Sequence, residues 1–324
     1  MRKLSSLTLP WPVDWPALFG AARPLIVEIG FGYGTFLLHL ARSNPDASVV
    51  GVEVANRCLT AAEHAVERQR IANVRVIHST AETALGHLFQ PATIRQVHVN
   101  FPDPWFKKRH SHRRLMQRDT LDAVVSRLEV GGLFHLATDI LEYAEMSAEL
   151  LADTPGLDNT FDTPWVSSIP GRFVTKYENK ARREGRSCYY FVYRRNDLPA
   201  PPVPVVKELD MPHLVFASPL SLDDMLAQFE RREHARGDTH IAFLYGYRGD
   251  RSLLFEVFVK EPTIDQRVAV MLAPRDAPGE YTLQLGMLGH PRPTPGIHLA
   301  VRLLGEWLVG LHPGARVVAS KLQD

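Results

Sequence analysis

Between residues 25 and 140, short apolar runs alternate with stretches of helical periodicity, and this alternation restricts the fold more than any other feature of the sequence. Helices are predicted over about 35–43 and from Asn56, as N-cap, to about residue 70. Because strands that alternate with helices form a parallel sheet covered on both faces, we predict an α/β, doubly wound fold. The β-rich residues 188–193 are expected to form an antiparallel edge strand in an edge hairpin. The predicted parallel strands are 25–29, 48–53, 74–77, 96–100 and 133–138.

A proline-rich segment divides the chain. Four prolines lie within residues 199–204, and such a run favours an extended spacer. We therefore predict a first domain over 1–197, a linker over 198–206 and a second domain over 207–324. The patterns in the last region indicate a smaller α+β domain of unknown role. Its predicted elements are a helix from about Ser221, hairpins of 241–247 with 252–260 and of 268–272 with 281–285, and a helix over 297–311.

The composition is that of an ordinary globular protein, with 45% hydrophobic and 23% charged residues. No apolar run approaches the roughly 20 residues of a membrane span, and the first residues lack the apolar core of a secretory signal. Cys58 and Cys188 lie far apart without clustered histidines, so neither a disulfide scaffold nor a zinc site is expected. These features predict a cytoplasmic protein with no membrane segment and no metal.

A glycine-rich turn follows the first predicted strand. Residues 28–34 read Glu-Ile-Gly-Phe-Gly-Tyr-Gly, and glycines let the backbone turn tightly and approach a ligand closely. The G-x-G-x-G spacing differs from the G-x-G-x-x-G of dinucleotide-binding folds, so a bound pyrophosphate is less expected here. Glu53 ends the second strand, where a carboxylate can accept both hydroxyls of a ribose, and Glu28 suits a cationic ligand. Together these residues predict S-adenosylmethionine, which has a ribose, a sulfonium and no phosphate.

The densest motif follows the strand at 96–100. Residues 100–110 read Asn-Phe-Pro-Asp-Pro-Trp-Phe-Lys-Lys-Arg-His, and open α/β sheets bind ligands at this end of their strands. Two prolines flank Asp103 and fix the backbone, so we expect its carboxylate to point in a defined direction. Trp105 offers an aromatic face for a base or packs as a lid. We therefore expect this loop to be the reacting end of the site.

The charge is close to zero overall, with 37 Lys and Arg against 36 Asp and Glu, but it is segregated. Residues 107–118 hold six basic residues and no acid, and residues 172–195 hold eight basic residues and two acids. These 36 positions carry a net charge of +12, and the rest of the chain carries −11. Such segregation predicts a phosphate-binding face and a nucleic-acid partner. Residues 207–324 carry −2, so they are not expected to form an independent RNA clamp.

In three motifs the chain resembles the bacterial tRNA (guanine-N7)-methyltransferases. They are E-I-G-F-G-x-G at 28–34, N-F-P-D-P-W-x-K-K-R-H at 100–110 and T-K-Y-E at 175–178, and the resemblance covers about residues 23–196. It implies a Rossmann-like methyltransferase sheet and methylation of the variable-loop guanine (position 46) of tRNA, with S-adenosylmethionine as cofactor. The C-terminal 118 residues lie outside the common core.

The resemblance also implies site residues. Asp103 is the proposed catalytic residue and one of the cofactor contacts. Thr80 stands where an Asp or Asn is usual, and Phe106 and Phe173 replace common prolines. The implied cofactor-binding residues are Glu28, Gly30, Gly32, Gly34, Glu53, Thr80 and Asp103. The implied substrate-binding residues are Lys107, Arg109, Arg113, Arg114, Asp139, Thr175, Lys176, Tyr177 and Glu178.

Two other functions remain open at this point. The Phe-Pro-Asp-Pro-Trp segment also resembles the Asx-Pro-Pro-aromatic loops of amino methylases, which indicates a methyltransferase acting on another RNA base or on an amine. Thr80 favours the second alternative, a catalytically inactive RNA-binding relic of the fold. The oligomeric state is not predicted by any pattern in the sequence.

Overall fold

The chain divides into two compact units, the first ending at Val206 and the second beginning at Lys207. The computed structural model describes residues 3–323, apart from the side chains of residues 108, 111 and 112. Within that range, no helix has both the length and the apolar character that crossing a membrane requires. Lys108 and His112, which belong to the basic run at 107–118, therefore have side chains outside the described set.

The first unit contains eight strands and seven α-helices among the described residues. A π-helical turn, Ala84–Leu88, continues the fourth helix, and a 3₁₀ turn covers Lys108–Arg113. The strands are β1 (Leu4–Ser5), β2 (Leu25–Ile29), β3 (Ser48–Glu53), β4 (Val74–His78), β5 (Ile94–Asn100), β6 (Leu128–Thr138), β7 (Leu157–Asn159) and β8 (Tyr189–Arg195). The helices are α1 (Trp15–Phe19), α2 (Thr35–Ser43), α3 (Asn56–Gln69), α4 (Ala81–Thr83), α5 (Arg118–Arg127), α6 (Leu141–Ala152) and α7 (Lys176–Arg183).

These strands form one sheet in the order β1-β4-β3-β2-β5-β6-β8-β7. All neighbours are parallel except β6 with β8 and β8 with β7, which are antiparallel. The connections from β2 lead to β3 on one side, whereas those from β5 lead to β6 on the other. The strand order therefore reverses between β2 and β5, and this switch point opens a crevice at their carboxyl ends.

The predicted α/β class and the mostly parallel sheet are confirmed, and the five predicted parallel strands form β2 to β6, although β6 already begins at Leu128. Two local predictions are wrong. Asn56 is the first residue of α3 and not its cap, since Ala55 holds that position without a side-chain hydrogen bond. The segment predicted at 188–193 does pair antiparallel, as β8 between β6 and β7, but it is not the outermost strand, because β7 pairs with its outer side.

A buried arginine fastens the proline-rich segment to the first unit. The Arg127 side chain is fully buried, and its guanidinium donates to the carbonyl oxygens of Leu85 (2.9 Å), Val203 (2.9 Å) and Pro204 (3.0 Å). The backbone N–H of Val206 adds a hydrogen bond to the Gly86 carbonyl at 3.0 Å. The end of this segment is therefore held in place by hydrogen bonds, and burial lowers the pKa of Arg127.

The second unit is an antiparallel sheet covered by helices, and the predicted α+β class is confirmed. The order is β10-β11-β12-β13-β14-β9-β15. Both predicted hairpins form, as β11 with β12 and β13 with β14. The elements are β9 (His213–Ala217), α8 (Leu222–Ala227), β10 (Arg232–Arg236), β11 (Thr239–Arg248), β12 (Leu253–Glu261), β13 (Ile264–Pro274), β14 (Glu280–Leu285), α9 (Pro295–Gly310) and β15 (Arg316–Lys321).

Two features of the sequence produce this packing in the second unit. Ser221 and Asp224 form a capping box at the start of α8. The apolar stripe of α9, which includes Ile297, Val301 and Leu304, is buried in one hydrophobic core with alternate residues of the strands.

Replacing Arg127 by Met should lower the free energy of unfolding of the first unit by about 3 kcal/mol, because three carbonyl acceptors lose their donor. Urea unfolding followed by tryptophan fluorescence measures this change, since four of the five tryptophans lie in the first unit. Arg68→Met, at an exposed position on α3, should change the unfolding free energy by less than about 0.5 kcal/mol. Equal effects of the two substitutions would contradict the proposed anchoring.

Candidate active site at the switch point

A narrow cavity opens at the switch point between β2 and β5. Its wall combines the turn after β2, the end of β5 and the beginning of α7, and Glu28 and Asn100, 72 positions apart, are hydrogen-bonded within it. Residues that line this cavity include Glu28, Gly30, Tyr33, Asn100, Thr175 and Tyr177. The structure thus joins the first and third sequence motifs with the beginning of the second.

The backbone conformation of the turn after β2 requires glycine. Gly30, Gly32 and Gly34 have φ angles of +72°, +56° and +79°, a left-handed region that L side chains rarely adopt. A Cβ at Gly30 would meet no atom within 4 Å, whereas one at Gly34 would lie 3.0 Å from the Cβ of Ala62. Gly34 is also the N-cap of α2, so the turn leads directly into that helix.

Glu53 fastens the glycine turn to the end of β3. One carboxylate oxygen accepts the Gly32 N–H at 2.9 Å, and the other accepts those of Val54 at 2.8 Å and Ala55 at 2.9 Å. A carboxylate offers about four acceptor positions, so about one remains for a ligand. This leaves room for one ribose hydroxyl, whereas the sequence predicts contacts with both.

Glu28 lies on β2 with its carboxyl group buried, at 1% exposure. Its Oε1 accepts the side-chain amide of Asn100 at 3.1 Å, while Oε2 is buried and has no hydrogen-bond partner among the described residues. Burial raises the pKa of Glu28 to about 8, although Asn100 and Arg172 oppose the shift. The cavity therefore has an unsatisfied acidic group on its wall.

The loop after β5 is held in an unusual conformation. Phe101 and Trp105 have φ angles of +52° and +43°, and these left-handed residues bracket the segment that contains Asp103. The Asp103 side chain is exposed. The Arg114 guanidinium donates to the Pro104 carbonyl at 2.9 Å, and the Arg113 guanidinium lies over the Trp105 ring, 5.1 Å from its centre. Arg114 therefore supports the loop from within the protein.

The third motif forms the beginning of α7. Thr175 is its N-cap and accepts the backbone N–H of Glu178 at 3.1 Å. Glu178 is 1% exposed and forms an ion pair with Arg182, while its second carboxylate oxygen has no partner among the described residues. Lys176 lies over the Tyr33 ring, and Tyr177 is half exposed beside the cavity. Thr175 and Glu178 thus combine a structural role with a position at the site.

Two further predicted residues have partners within the chain. The Thr80 hydroxyl donates to Thr83 Oγ1 and accepts the Thr83 backbone N–H, both at 3.1 Å, as the N-cap of α4. Asp139, which follows β6, forms an ion pair with Arg186. Substrate or cofactor contact by these side chains therefore has to coexist with intramolecular bonds.

The structure corrects the prediction of a single exposed basic face. Five of its fourteen residues are partly or fully buried and bind partners within the chain, namely Arg114, Arg118, Arg172, Arg186 and Arg195. Eight are exposed, and the side chain of the fourteenth, Lys108, lies outside the described set. The exposed residues are Lys107, Arg109, Arg113, Lys176, Lys180, Arg182, Arg183 and Arg194. The basic surface is smaller than the charge count implies, because a charge count does not distinguish a solvated arginine from a buried one.

Sequence reasoning did not identify the polar cluster behind Glu28. His98 and His135 stack at 4.3 Å between ring centres, and burial lowers the pKa of His135 to about 4. Arg172, expected to bind phosphate, instead hydrogen-bonds to the Asn100 side chain. The one signal for this cluster in the sequence was the presence of polar residues within strands that were predicted to be buried.

The strand order, the glycine turn after β2 and the acid at the end of β3 define a Rossmann-like methyltransferase. Residues 22–191 match a protein-family model described as "Putative methyltransferase". The second unit lies outside this match. Among solved structures, a 16S rRNA methyltransferase, KamB, is similar with a TM-score of 0.45 and 15% identity, over 60% of this chain and 100% of that one.

Relatives with a more specific name narrow the class of protein to one family. The chain is 38% identical over 188 residues to a tRNA (guanine-N(7)-)-methyltransferase of Cupriavidus pinatubonensis, which covers 57% of this chain and 73% of that protein. Proteins of the same name from Cutibacterium acnes and Yersinia enterocolitica are 40% and 35% identical, over 57% and 58% of this chain and 68% and 79% of theirs. The chain therefore belongs to the tRNA (guanine-N7)-methyltransferase family, as its motifs predict.

Replacing Glu53 by Gln should destabilise the glycine turn, because an amide NH₂ then faces a backbone N–H. We expect the unfolding free energy of the first unit to fall by about 1–2 kcal/mol in urea titrations without any ligand. The matched change Glu149→Gln, at an exposed position on α6, should have an effect below about 0.5 kcal/mol. A Glu53→Gln protein as stable as the parent would show that these three hydrogen bonds do not hold the turn.

Proposed function

We propose that this enzyme transfers the methyl group of S-adenosylmethionine to N7 of a guanine in tRNA. The observation that carries the proposal is the identity of 35–40% to relatives named tRNA (guanine-N(7)-)-methyltransferase. The assignment to the variable-loop guanine rests on the motif resemblance. Because tRNA is a cytoplasmic molecule, we further propose that the enzyme acts in the cytoplasm.

The donor set at the switch point fits S-adenosylmethionine. This cofactor supplies a methyl group bound to positively charged sulfur, and the buried, unpartnered Oε2 of Glu28 suits a cationic ligand. The remaining acceptor position of Glu53 suits a ribose hydroxyl. Thr80 already donates its hydroxyl proton to Thr83, which leaves an acceptor for the amino group of adenine. Gly30, Gly32, Gly34 and Asp103 complete the proposed cofactor set.

Guanine N7 has an exposed lone pair, so no residue has to act as a strong base. The protein has to hold N7 in line with the methyl–sulfur bond, roughly 3 Å from the methyl group, and to exclude water. We assign Asp103 to the donor edge of the guanine, N1–H and N2–H₂. Its negative charge also stabilises the cationic ring of the product. Asp139, Thr175, Lys176, Tyr177 and Glu178 are proposed to complete the guanine site.

The exposed basic residues are proposed to bind tRNA phosphates. A base inside a folded tRNA has to leave its stack, which costs a few kcal/mol, and phosphate contacts offset this cost. Lys107, Arg109 and Arg113 are exposed beside the Asp103 loop. Arg114, by contrast, is proposed to position the loop, because its guanidinium binds the Pro104 carbonyl.

Replacing Asp103 by Asn tests the catalytic assignment, because the shape is kept and the charge is lost. We expect turnover with saturating tRNA and cofactor to fall about 100-fold, the range for one stabilising group in a transition state. Cofactor affinity should weaken less than turnover, and the melting temperature should stay constant because the side chain is exposed. Near-normal turnover would remove Asp103 from the catalytic role.

Arg113→Ala and Arg114→Ala should have different effects although the residues are adjacent. Loss of an exposed phosphate contact at Arg113 should lower tRNA affinity and reduce the slope of log K against log salt by about 1. Loss of Arg114 should leave the slope nearly unchanged and lower turnover, since the loop loses its internal support. Filter binding over a salt series measures the slopes, and the reverse pattern would contradict both assignments.

The second unit is proposed to have a structural or partner-binding role. Its charge of −2 does not favour an RNA clamp. A chain ending at Val206 keeps the Arg127 contacts to residues 203 and 204, which a chain ending at Asn196 would lose.

A chain that ends at Val206 should therefore bind tRNA with the affinity of the full-length protein. The measurement is tRNA affinity together with the melting temperature of the first unit, and the chain ending at Asn196 is the control that should melt at a lower temperature. Weaker tRNA binding by the chain ending at Val206, at unchanged stability, would instead show that the second unit contacts tRNA.

A further inference from the structure

A row of polar side chains crosses the centre of the first sheet behind the cofactor cavity. Glu28 on β2 is in register with His98 on β5, and His98 is in register with His135 on β6. Glu28 and His98 are buried and His135 is partly buried, and burial lowers the pKa of both histidines. Neutral histidines at this position cannot neutralise a carboxylate, so when Glu28 is ionised its balancing charge has to come from another residue.

Arg172 is a basic residue whose positive charge acts on all three members of this row. Its guanidinium lies 5.3 Å from the ring centre of Phe36 and 4.9 Å from that of Tyr190. One terminal nitrogen donates to the Asn100 Oδ1 at 2.5 Å, and the other is buried without a partner among the described residues. The side chain is therefore fixed between two aromatic rings and directed at Asn100.

The two ends of the Asn100 amide are not equivalent in this arrangement. A guanidinium has only donors, so the oxygen of the amide has to face Arg172. The NH₂ group then faces Glu28, and the observed hydrogen bond of 3.1 Å to Glu28 Oε1 follows. An NH₂ donor favours an ionised carboxylate, whereas a rotated amide would present an acceptor and favour the protonated form.

We propose that Arg172 is a positioning residue for cofactor binding, which acts through Asn100 to present Glu28 as the carboxylate that receives the cationic end of S-adenosylmethionine. The inference rests on the proposed cofactor and goes beyond it, because Arg172 itself does not line the cavity described above. It also gives a role to a partly buried arginine of the basic run at 172–195.

The arrangement couples cofactor binding to pH. The charged and titratable groups around Glu28 include Arg172 and, on neighbouring elements, Glu53, His98, Tyr33, Lys176 and Tyr177. Since the pKa of Glu28 is raised to about 8, the group is mostly protonated at pH 7 without ligand. A bound cation favours the carboxylate, so binding releases a proton. Affinity should therefore rise with pH up to about 8 and level off above it.

Calorimetric titration of the full-length protein with S-adenosylmethionine, between pH 6 and 9, tests the inference. For the parent protein at pH 7, the heats in buffers of different ionisation enthalpy should report proton release. In Arg172→Met the rise in affinity should move to higher pH, and binding at pH 7 should be roughly tenfold weaker than in the parent protein. Arg172→Lys, which keeps the charge without the planar fork, should fall between the two.

Two control variants separate this effect from damage to the fold. Glu28→Gln should bind more weakly, with no proton release and a flat pH profile. Arg95→Met, at an exposed position on β5, should match the parent protein throughout. If Arg172→Met is too unstable to titrate, Arg172→Lys and Glu28→Gln still give the two profiles that the inference requires.

The outcomes also distinguish this inference from the proposed function. Failure of the parent protein to bind S-adenosylmethionine would overturn both. Normal binding by the parent protein, together with pH profiles of the two Arg172 variants that coincide with the parent profile, would overturn only the role of Arg172. Whether tRNA is methylated at guanine N7 is measured separately and does not depend on these profiles.

Discussion

The reversal of strand order between β2 and β5 is the constraint on which the site depends. Two parallel strands whose connections leave in opposite directions cannot cover their own carboxyl ends, so a crevice remains between them. The glycine turn and the loop that contains Asp103 are the first residues after these two strands. Their proximity therefore follows from topology, and the hydrogen bonds of Glu53 and Asn100 only refine it.

Several charged residues of this protein stabilise backbone segments. Arg127 and Arg114 donate to carbonyl oxygens of the proline-rich segment and of the Asp103 loop, and Glu53 accepts three backbone N–H groups. A buried or partly buried ion in such a position replaces water as the partner of polar backbone groups. Irregular segments without regular hydrogen-bond ladders can then keep one conformation. This explains why two φ angles in the left-handed region persist at Phe101 and Trp105.

Periodicity was sufficient to predict most of the parallel strands, since their apolar runs are buried on both faces. It failed at β7 and at the two-residue β1, which are too short to give a pattern. The three motifs likewise identified the residues around the cavity, including Glu28, Gly30 and Thr175. They did not reveal that Glu53 has about one free acceptor position, because its bonds to Val54 and Ala55 depend on the local path of the backbone.

The fold class, the order of most elements and the chemical nature of the site could be predicted, because they depend on local periodicity and on motifs within single segments. The use of each charge could not be predicted in this way, because it depends on tertiary contacts. Arg172 and Arg113 look alike in the sequence, yet one lies between two aromatic rings behind Glu28 and the other is exposed beside Trp105. The reason is physical. The role of an ionised group depends on its access to water and on its partners, and segments that are distant in the sequence determine both.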